Sequence, residues 1–399
     1  MKLRIIPFFS SISPDGVKDD VLQQLSNIEG DIVDPSDFKF ESGEYRDYLF
    51  IGTGGTENDV TDFLKEYPLP PPLMILSYNL RNSLPAAMEI RSYLQRQGIE
   101  SRIIHSPLVE LNRLLFEWGE FANIISKIQK STLGIIGHPS SWLIASDIDS
   151  DKVQKRWGLS IIQLPLDSLI KSTSSTGVAE HVNSFRDSST SCTPSDDELQ
   201  KAGLVANALR ELVNKHNLDA VTVECFRLLM ETKVSGCFAL SLLNDLQEST
   251  AGCEGDVPAT FTMLLGQMLT GQLGFMSNVT EVNQEKNTAT FAHCTLPTTL
   301  AKSYEIVSHF ETGLSIGIRG TFAHQPVTVF KVFGEDLSEY WVSDGKIIDN
   351  LVNETGCRTQ IRVEMNEDVS YFLERSLANH HIVFLGNHAE KIHRFFSFV

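Results

Sequence analysis

Several features that would place this chain in a class of protein at once are missing from its sequence. No apolar run approaches the ~20 residues that a membrane-spanning helix needs, and the six cysteines form no CxxC pair. The sequence therefore predicts neither a membrane segment, nor a zinc knuckle, nor a disulfide framework. Positive charge is also scarce, because 33 basic residues stand against 51 acidic ones and give a net charge of −18. Such a charge repels phosphate backbones and anionic lipid, so we expect no nucleic-acid partner and no membrane partner.

A targeting signal is not evident either. Met1 to Phe9 begins with positive charge, but its apolar run is short, is broken by Pro7 and leads to no small-residue cleavage site. We interpret this segment as a first strand and expect a cytoplasmic protein with reduced cysteines. The length of 399 residues suggests roughly two or three domains.

The first third of the chain alternates short apolar runs with amphipathic stretches. The apolar runs are Leu3 to Phe9, Tyr48 to Gly52, Leu73 to Leu76 and Ser101 to His105, and helical periodicity covers 57–66, 84–97 and 107–129. Strands that alternate with helices indicate parallel βαβ units. The pattern predicts a first α/β lobe over residues 1–130.

A similar pattern predicts a second α/β lobe over residues 131–285. Its predicted elements are strands at Thr132 to Gly137, Gly158 to Leu164 and Ala220 to Glu224, and a helix from Asp196 to His216. We expect the Ser/Thr-rich stretch at 172–195 to be an exposed loop.

The pattern changes after about residue 285 to short alternating runs such as Thr288 to His293, Gly313 to Gly320, Pro326 to Phe333, Thr359 to Glu364 and His380 to Leu385. Period-2 runs separated by Gly, Asn and Asp predict an antiparallel sheet or small barrel over 286–399. The expected fold class is therefore α/β, with two doubly wound, Rossmann-like lobes followed by a β-rich, barrel-like C-terminal lobe. Ligand sites are expected where lobes meet.

The turn from Cys253 to Pro258 is the strongest functional lead. It carries Glu254 and Asp256 between a strand and an apolar-striped helix, Ala259 to Gly271, and a strand end facing a helix N-terminus is where an open α/β sheet offers side chains to a ligand. Asp256 is more simply explained as the N-cap of that helix. Glu254 lies further back on the turn and is harder to explain as a cap.

Other candidate residues have structural explanations beside the functional one. Glu224 ends a strand and could enter the crevice, although pairing with Arg227 is the simpler explanation. Trp142 offers a flat face for stacking on a sugar, or it packs in a core or interface. The Gly-rich turn at Gly52 to Glu57 lacks the GxGxxG spacing and the Walker lysine, so a tight βα turn is the default.

In several stretches the sequence resembles the fucose isomerase and arabinose isomerase superfamily. The resemblance rests on Gly252 to Gly271, Phe275 to Asn278 and Asn287 to Pro297, with support from Gly134 to Leu143, Gly236 to Asp245, Cys357 to Arg362 and Asn379 to His381. It covers most of residues 130–399 and, over the first 130 residues, depends mainly on the lobe pattern.

The resemblance implies an oligomeric, three-lobed aldose–ketose isomerase that acts on a monosaccharide through an ene-diol with a carboxylate base. A trimer or hexamer and a divalent cation, usually manganese, are part of that expectation. Glu254 matches the base and first metal ligand, and Asp256 is a second catalytic candidate. The second acidic ligand falls on Asn278, or in the arabinose branch nearer Ser277, and neither side chain carries charge.

The histidine ligands implied by the resemblance are His380 and, in the arabinose branch, His293. A histidine in a strand beside Phe291 is also explained as a hydrogen-bonded wall residue. His380 and His381 would alternate faces in a strand, so only one can face the metal. His381 joins Trp142 and Glu224 as a substrate-binding candidate. The alternative function is a sugar-binding or regulatory protein that has lost turnover with the second carboxylate.

Overall fold

The computed structural model describes residues 2–25, 30–41, 44–173 and 181–399. The chain divides into two compact units, the first ending at Lys127 and the second beginning at Ile128. None of the helices in the described part is long and apolar enough to cross a membrane.

The first unit is built around five parallel strands in the order β2-β1-β3-β4-β5. Its elements are β1 Lys2–Phe8, α1 Val17–Gln24, β2 Gly30–Ile32, β3 Tyr45–Ile51, α2 Glu57–Glu66, β4 Leu73–Ser77, α3 Ser83–Arg96, β5 Ser101–His105 and α4 Leu108–Ile128. Leu49 and Ile51 of β3 share one buried cluster with Val60 and Phe63 of α2. The helices thus bury their apolar stripes on the sheet, as expected for βαβ units.

The second unit contains a parallel sheet, which is smaller than that of the first unit, and an antiparallel barrel. Its strands are β6 Thr132–Ile136, β7 Ser160–Leu164, β8 Ser191–Cys192, β9 Ala220–Val223, β10 Thr250–Cys253, β11 Gly274–Asn283, β12 Thr288–His293, β13 Ser303–Val307, β14 Gly317–Thr321, β15 Pro326–Phe333, β16 Glu339–Asn350, β17 Thr359–Met365 and β18 His381–Leu385. Its helices are α5 Ser150–Trp157, α6 Leu166–Thr173, α7 Val182–Ser188, α8 Asp196–His216, α9 Cys225–Thr232, α10 Cys237–Asp245, α11 Val257–Thr270, α12 Tyr371–Glu374 and α13 Ala389–Phe398.

The parallel sheet of the second unit has the strand order β10-β9-β6-β7. From β6 the chain moves first to β7 on one side and later to β9 on the other, so the order reverses between β6 and β9. The carboxyl ends of strands beside such a reversal are where α/β sheets open a ligand crevice. The loops after β6, β9 and β10 all lie at this edge.

Six antiparallel strands close into a barrel in the order β11-β12-β17-β16-β15-β18. Because β11 pairs with β18 so that Ser277 lies opposite His381, the last strand of the chain is brought beside the first strand of the barrel. Helix α11 connects the parallel sheet to the barrel, and the Oγ1 of Thr262 on this helix accepts a hydrogen bond of 2.9 Å from the backbone N–H of Val332 on β15.

The predicted fold class is confirmed: parallel sheets precede a closed antiparallel barrel. The helices at 57–66 and 196–216 begin and end where the sequence predicts. The division at residues 130 and 285 into three lobes stays a prediction.

The expectation of an exposed loop at 172–195 needs correction. Residues 174–180 lie outside the described part of the chain, but the rest of the stretch contains α7 and β8. Phe185 of α7 is buried and stacks on Tyr304 with ring centroids 5.2 Å apart. One buried aromatic anchors a segment whose composition alone is typical of a loop.

Candidate metal centre

The turn after β10 has an unusual backbone that sets the direction of its carboxylates. Glu254 and Gly255 both have positive φ angles, 63° and 70°, and a non-glycine residue in this region is held there by its surroundings. The Glu254 carbonyl accepts a 2.8 Å hydrogen bond from the Ser140 N–H of the loop after β6. A Cβ on Gly255 would lie 2.5 Å from the carbonyl oxygen of His138 in that same loop. The two loops therefore touch backbone to backbone.

Three side chains whose donor atoms could hold a metal ion converge beside this turn from distant parts of the chain. The carboxylate of Glu254 and the imidazoles of His293 and His380 offer donor atoms that lie within 4.8 Å of one another. Glu254 Oε1 is 3.6 Å from Nε2 of His380 and 3.8 Å from Nε2 of His293. All three side chains are buried. We call this group the metal triad.

His380 is oriented by Asp256. Its Nδ1 lies 2.8 Å from Asp256 Oδ2, while the other carboxylate oxygen, Oδ1, accepts a 2.8 Å bond from the Ala259 N–H and caps α11. The Nε2 of His380 is buried and has no hydrogen-bond partner among the described residues. A carboxylate behind one imidazole nitrogen with the other nitrogen free is the usual arrangement of a histidine metal ligand.

His293 is held differently. Its Nδ1 accepts a 3.0 Å hydrogen bond from the Thr295 N–H, so a neutral ring carries its proton on Nε2, the nitrogen that faces Glu254. Coordination through Nε2 would require that proton to leave and the Thr295 bond to be broken. Glu254 thus fits a cation as it stands, His380 fits once the proton on its Nε2 leaves, and His293 fits after a local change.

Burial and charge oppose one another within the site. Burial disfavours the charged form of Glu254, but the interaction of its carboxylate with the nearby rings of His293 and His380 outweighs burial and lowers the pKa of Glu254. Asp256 is also buried, and the charges of Lys331 and His380 hold its pKa below the usual value. Burial would lower the pKa of His380, yet Asp256 and Glu254 raise it to about 9. Without a cation, the site is therefore stabilised by a proton on His380.

Trp142 contacts the triad through its indole nitrogen. Nε1 donates a 2.8 Å hydrogen bond to Glu254 Oε2, which leaves Oε1 for the two histidines. The ring meets Phe226 edge to face with centroids 4.8 Å apart, and the residue is 55% exposed. Trp142 thus fixes the carboxylate and presents an aromatic surface to solvent.

Asn278 lines the same cavity as Glu254 and His293. Its Oδ1 accepts a hydrogen bond from the Asn379 amide, and its Nδ2 points to the sulfur of Cys357 at 3.9 Å. The amide is already engaged on both sides. The cavity itself has a volume of about 30 Å³, room for an ion or a water, so a sugar must widen it or place only part of itself inside.

The remaining sequence-predicted residues lie apart from the triad. Glu224 Oε2 accepts a 3.0 Å bond from the His138 N–H and is 3.8 Å from Arg227. His381 uses both ring nitrogens, with Nε2 3.0 Å from the Tyr371 hydroxyl and Nδ1 2.8 Å from the Asn379 carbonyl. Burial lowers the pKa of His381 to about 3, so this ring is neutral and packs in the barrel wall.

Two features of the site cannot be predicted from the sequence pattern. Five of the six cysteines, Cys225, Cys237, Cys253, Cys294 and Cys357, line the cavity beside the triad. Lys331 is fully buried, and its Nζ has no hydrogen-bond partner within the described ranges. The cysteines are far apart in sequence, and Lys331 sits in an otherwise apolar strand run, so no local spacing signals either feature.

The comparison with known proteins gives one limited match. A stretch of 101 residues, 25% of this chain, is 27% identical to a sulfoquinovose isomerase from Alkalicoccus urumqiensis. The match spans about a quarter of that relative, 23% of its length. No protein-family model matches the chain. A similarity to a sugar isomerase and a buried triad able to hold a divalent cation together fit a sugar isomerase-like function.

Proposed function

We propose that this protein is a metal-dependent aldose–ketose isomerase that acts on a monosaccharide through an ene-diol. The observation that carries the proposal is the buried carboxylate and two imidazoles, Glu254, His293 and His380, with Asp256 behind His380. The limited match to a sulfoquinovose isomerase supports the same reaction class. Glu254, His380 and, after its local change, His293 would hold the cation.

Isomerisation through an ene-diol needs a cation and a base. A bound divalent cation supplies polarisation of the two sugar oxygens on adjacent carbons. Glu254 is ionised at neutral pH because its pKa is lowered, and we assign it the transfer of the proton between those carbons. Asp256 fixes the ring of His380, and Trp142 fixes Glu254 while its exposed face is offered to the sugar.

The finer assignments are also proposals. We infer membership of the fucose isomerase and arabinose isomerase superfamily, manganese as the cation, a cytoplasmic location and a homo-oligomer, either trimer or hexamer. Two imidazoles and one carboxylate bind several first-row metals, so the identity of the cation has to be measured.

The second candidate function is a sugar-binding or regulatory protein of the same fold. Asn278 favours it, because this cavity residue carries no charge where the related isomerases have a second acidic ligand. An uncharged amide cannot accept a proton near neutral pH. Under this alternative the cavity would still bind a sugar without converting it.

One experiment separates the two functions. Purified protein is assayed for bound metal and then, with manganese supplied, for conversion of a panel of pentoses, hexoses, deoxy sugars and sulfoquinovose. Isomerase function predicts conversion of at least one sugar and its loss in Glu254→Gln. Sugar binding without conversion supports the second candidate, and activity retained by Glu254→Gln removes this residue as the base.

The role of Asn278 has its own test. Asn278→Asp adds an anionic oxygen to the cavity wall, so we expect tighter manganese binding, measured by calorimetry. Asn379→Asp, which changes the hydrogen-bonding neighbour of Asn278, is the matched control for added charge nearby. Unchanged affinity in Asn278→Asp places this side chain outside the set of ligands.

A further inference from the structure

We propose that Cys225 and Cys253 form a reversible disulfide in the wall of the metal centre. Their sulfur atoms lie 2.9 Å apart, closer than the ~3.5 to 4.0 Å at which non-bonded heavy atoms normally rest. A disulfide needs about 2.05 Å, so closure requires a further approach of less than 1 Å. This modification site is independent of the reaction proposed above.

The backbone brings the two cysteines together. Cys253 is the last residue of β10, and β10 pairs in parallel with β9 so that Cys253 lies opposite Val223. Cys225 is two residues beyond Val223, at the first position of α9. The two residues therefore lie where adjacent strands end, with Cys253 on β10 itself and Cys225 at the start of the helix that follows β9.

Small oxidants can reach the two sulfur atoms through the cavity. Both cysteines are buried against bulk solvent, yet both line the cavity that also contains Glu254 and His293. A molecule small enough to enter the cation site therefore reaches them. Cys192, the cysteine that does not line this cavity, is partly exposed and sits in β8.

The reaction balances with a peroxide as oxidant. One thiol attacks hydrogen peroxide to give a sulfenic acid and water, and the second thiol attacks that sulfur to form the disulfide and release a second water. Two thiols are oxidised and one peroxide is reduced. Oxidation is followed over hours, because both thiols are buried.

The test uses the full chain after reduction and removal of the reductant. A small excess of hydrogen peroxide should lower the intact mass by about 2 Da, the loss of two hydrogens that accompanies one disulfide, and a phosphine reductant should restore it. Digestion with trypsin and a glutamyl endopeptidase separates Cys225 and Cys253 from the other cysteines, in peptides 225–227 and 249–254. The linked pair of these two peptides is the expected product.

Two serine variants provide the controls. Cys225→Ser should lose the linked peptide, whereas Cys192→Ser should keep it. If Cys225→Ser does not fold, Cys253→Ser serves in its place, and the peptide map of the unaltered protein decides in any case. Recovery of 225–227 and 249–254 as separate peptides after oxidation, or a link from Cys253 to Cys237 instead, would overturn the proposal.

Discussion

The Nδ1 of His380 lies 2.8 Å from Oδ2 of Asp256, across 124 residues of sequence, while the other oxygen of the same carboxylate caps α11. One side chain thus has two roles, since it caps a helix and orients the imidazole that we propose as a metal ligand. Substitution can separate these roles, because asparagine caps a helix about as well as aspartate.

We expect Asp256→Asn to weaken manganese binding by roughly 10- to 100-fold, the usual effect of losing a carboxylate behind a histidine ligand. The helix cap should survive in this variant, so thermal stability should fall less than in Asp256→Ala, which loses both contacts. Calorimetric titration with manganese and thermal denaturation of the two variants measure the difference. Equal affinity in Asp256→Asn and the unaltered protein would show that His380 needs no orienting charge.

The two histidines of the metal triad should not contribute equally. The Nε2 of His380 is free of hydrogen bonds within the described part of the chain, but coordination through Nε2 of His293 would also break the hydrogen bond from Thr295 to its Nδ1. We therefore expect His380→Gln to weaken manganese binding by at least about tenfold more than His293→Gln, as the loss of a preorganised ligand should. The same titration on both variants checks the order, and a larger loss in His293→Gln would contradict it.

Stability of the metal-free protein should depend on pH through the same cluster. His380 has a folded-state pKa of about 9 against the usual 6.5, so its contribution is complete below 6.5 and disappears as pH rises through 9. Glu254 and Asp256 have lowered pKa values, against usual values of 4.5 and 3.8, so their contribution is present above these values and is lost in acid. Together these groups favour the folded state most between about pH 4.5 and 6.5.

The measurement is urea denaturation in the presence of a chelator at several pH values. The free energy of unfolding should fall between pH 6.5 and 9, by no more than about 3 kcal/mol from His380. His380→Gln should show a flatter profile over this interval, since it removes the titrating group. An identical slope in the variant would assign the effect to other residues.

Trp142 should report cation binding, because its indole donates directly to Glu254 Oε2. Cation binding at Oε1 changes the charge beside the indole, and we expect a change in tryptophan fluorescence on titration with manganese. Trp142→Phe keeps an aromatic ring but removes both the donor and the fluorophore, so most of the change should vanish although three tryptophans remain of the four. A full signal in the variant would show that the response comes from another tryptophan.

The local sequence predicts the helices and strands of this fold better than it predicts which residues of distant elements come into contact. Helix α11 and its cap at Asp256 follow from an apolar stripe preceded by a capping residue and a proline. The contact between Asp256 and His380 does not, because it depends on the register that places Ser277 opposite His381 and on the packing of α11 against the barrel. Periodicity cannot supply a distance between residues more than a hundred positions apart.

The same limit applies to the other site residues. The resemblance to sugar isomerases, rather than the local pattern, suggested that His293 and His380 join Glu254, and the structure brings these three together. Glu224 and His381 are also candidates from the sequence, yet the first bonds to a backbone N–H and the second to Tyr371. The sequence does not predict β16, a strand of 12 residues, because polar residues and Gly345 interrupt its alternation.

Gly255 is not among the proposed metal ligands, yet it governs the spacing between the indole donor and its acceptor. Trp142 belongs to the loop after β6 and Glu254 to the turn after β10, and these backbones cross where a Cβ on Gly255 would lie 2.5 Å from the His138 carbonyl. Any larger residue at this crossing would act as a wedge and part the two segments. The spacing of the residues around the proposed cation site thus depends on the absence of a side chain at Gly255.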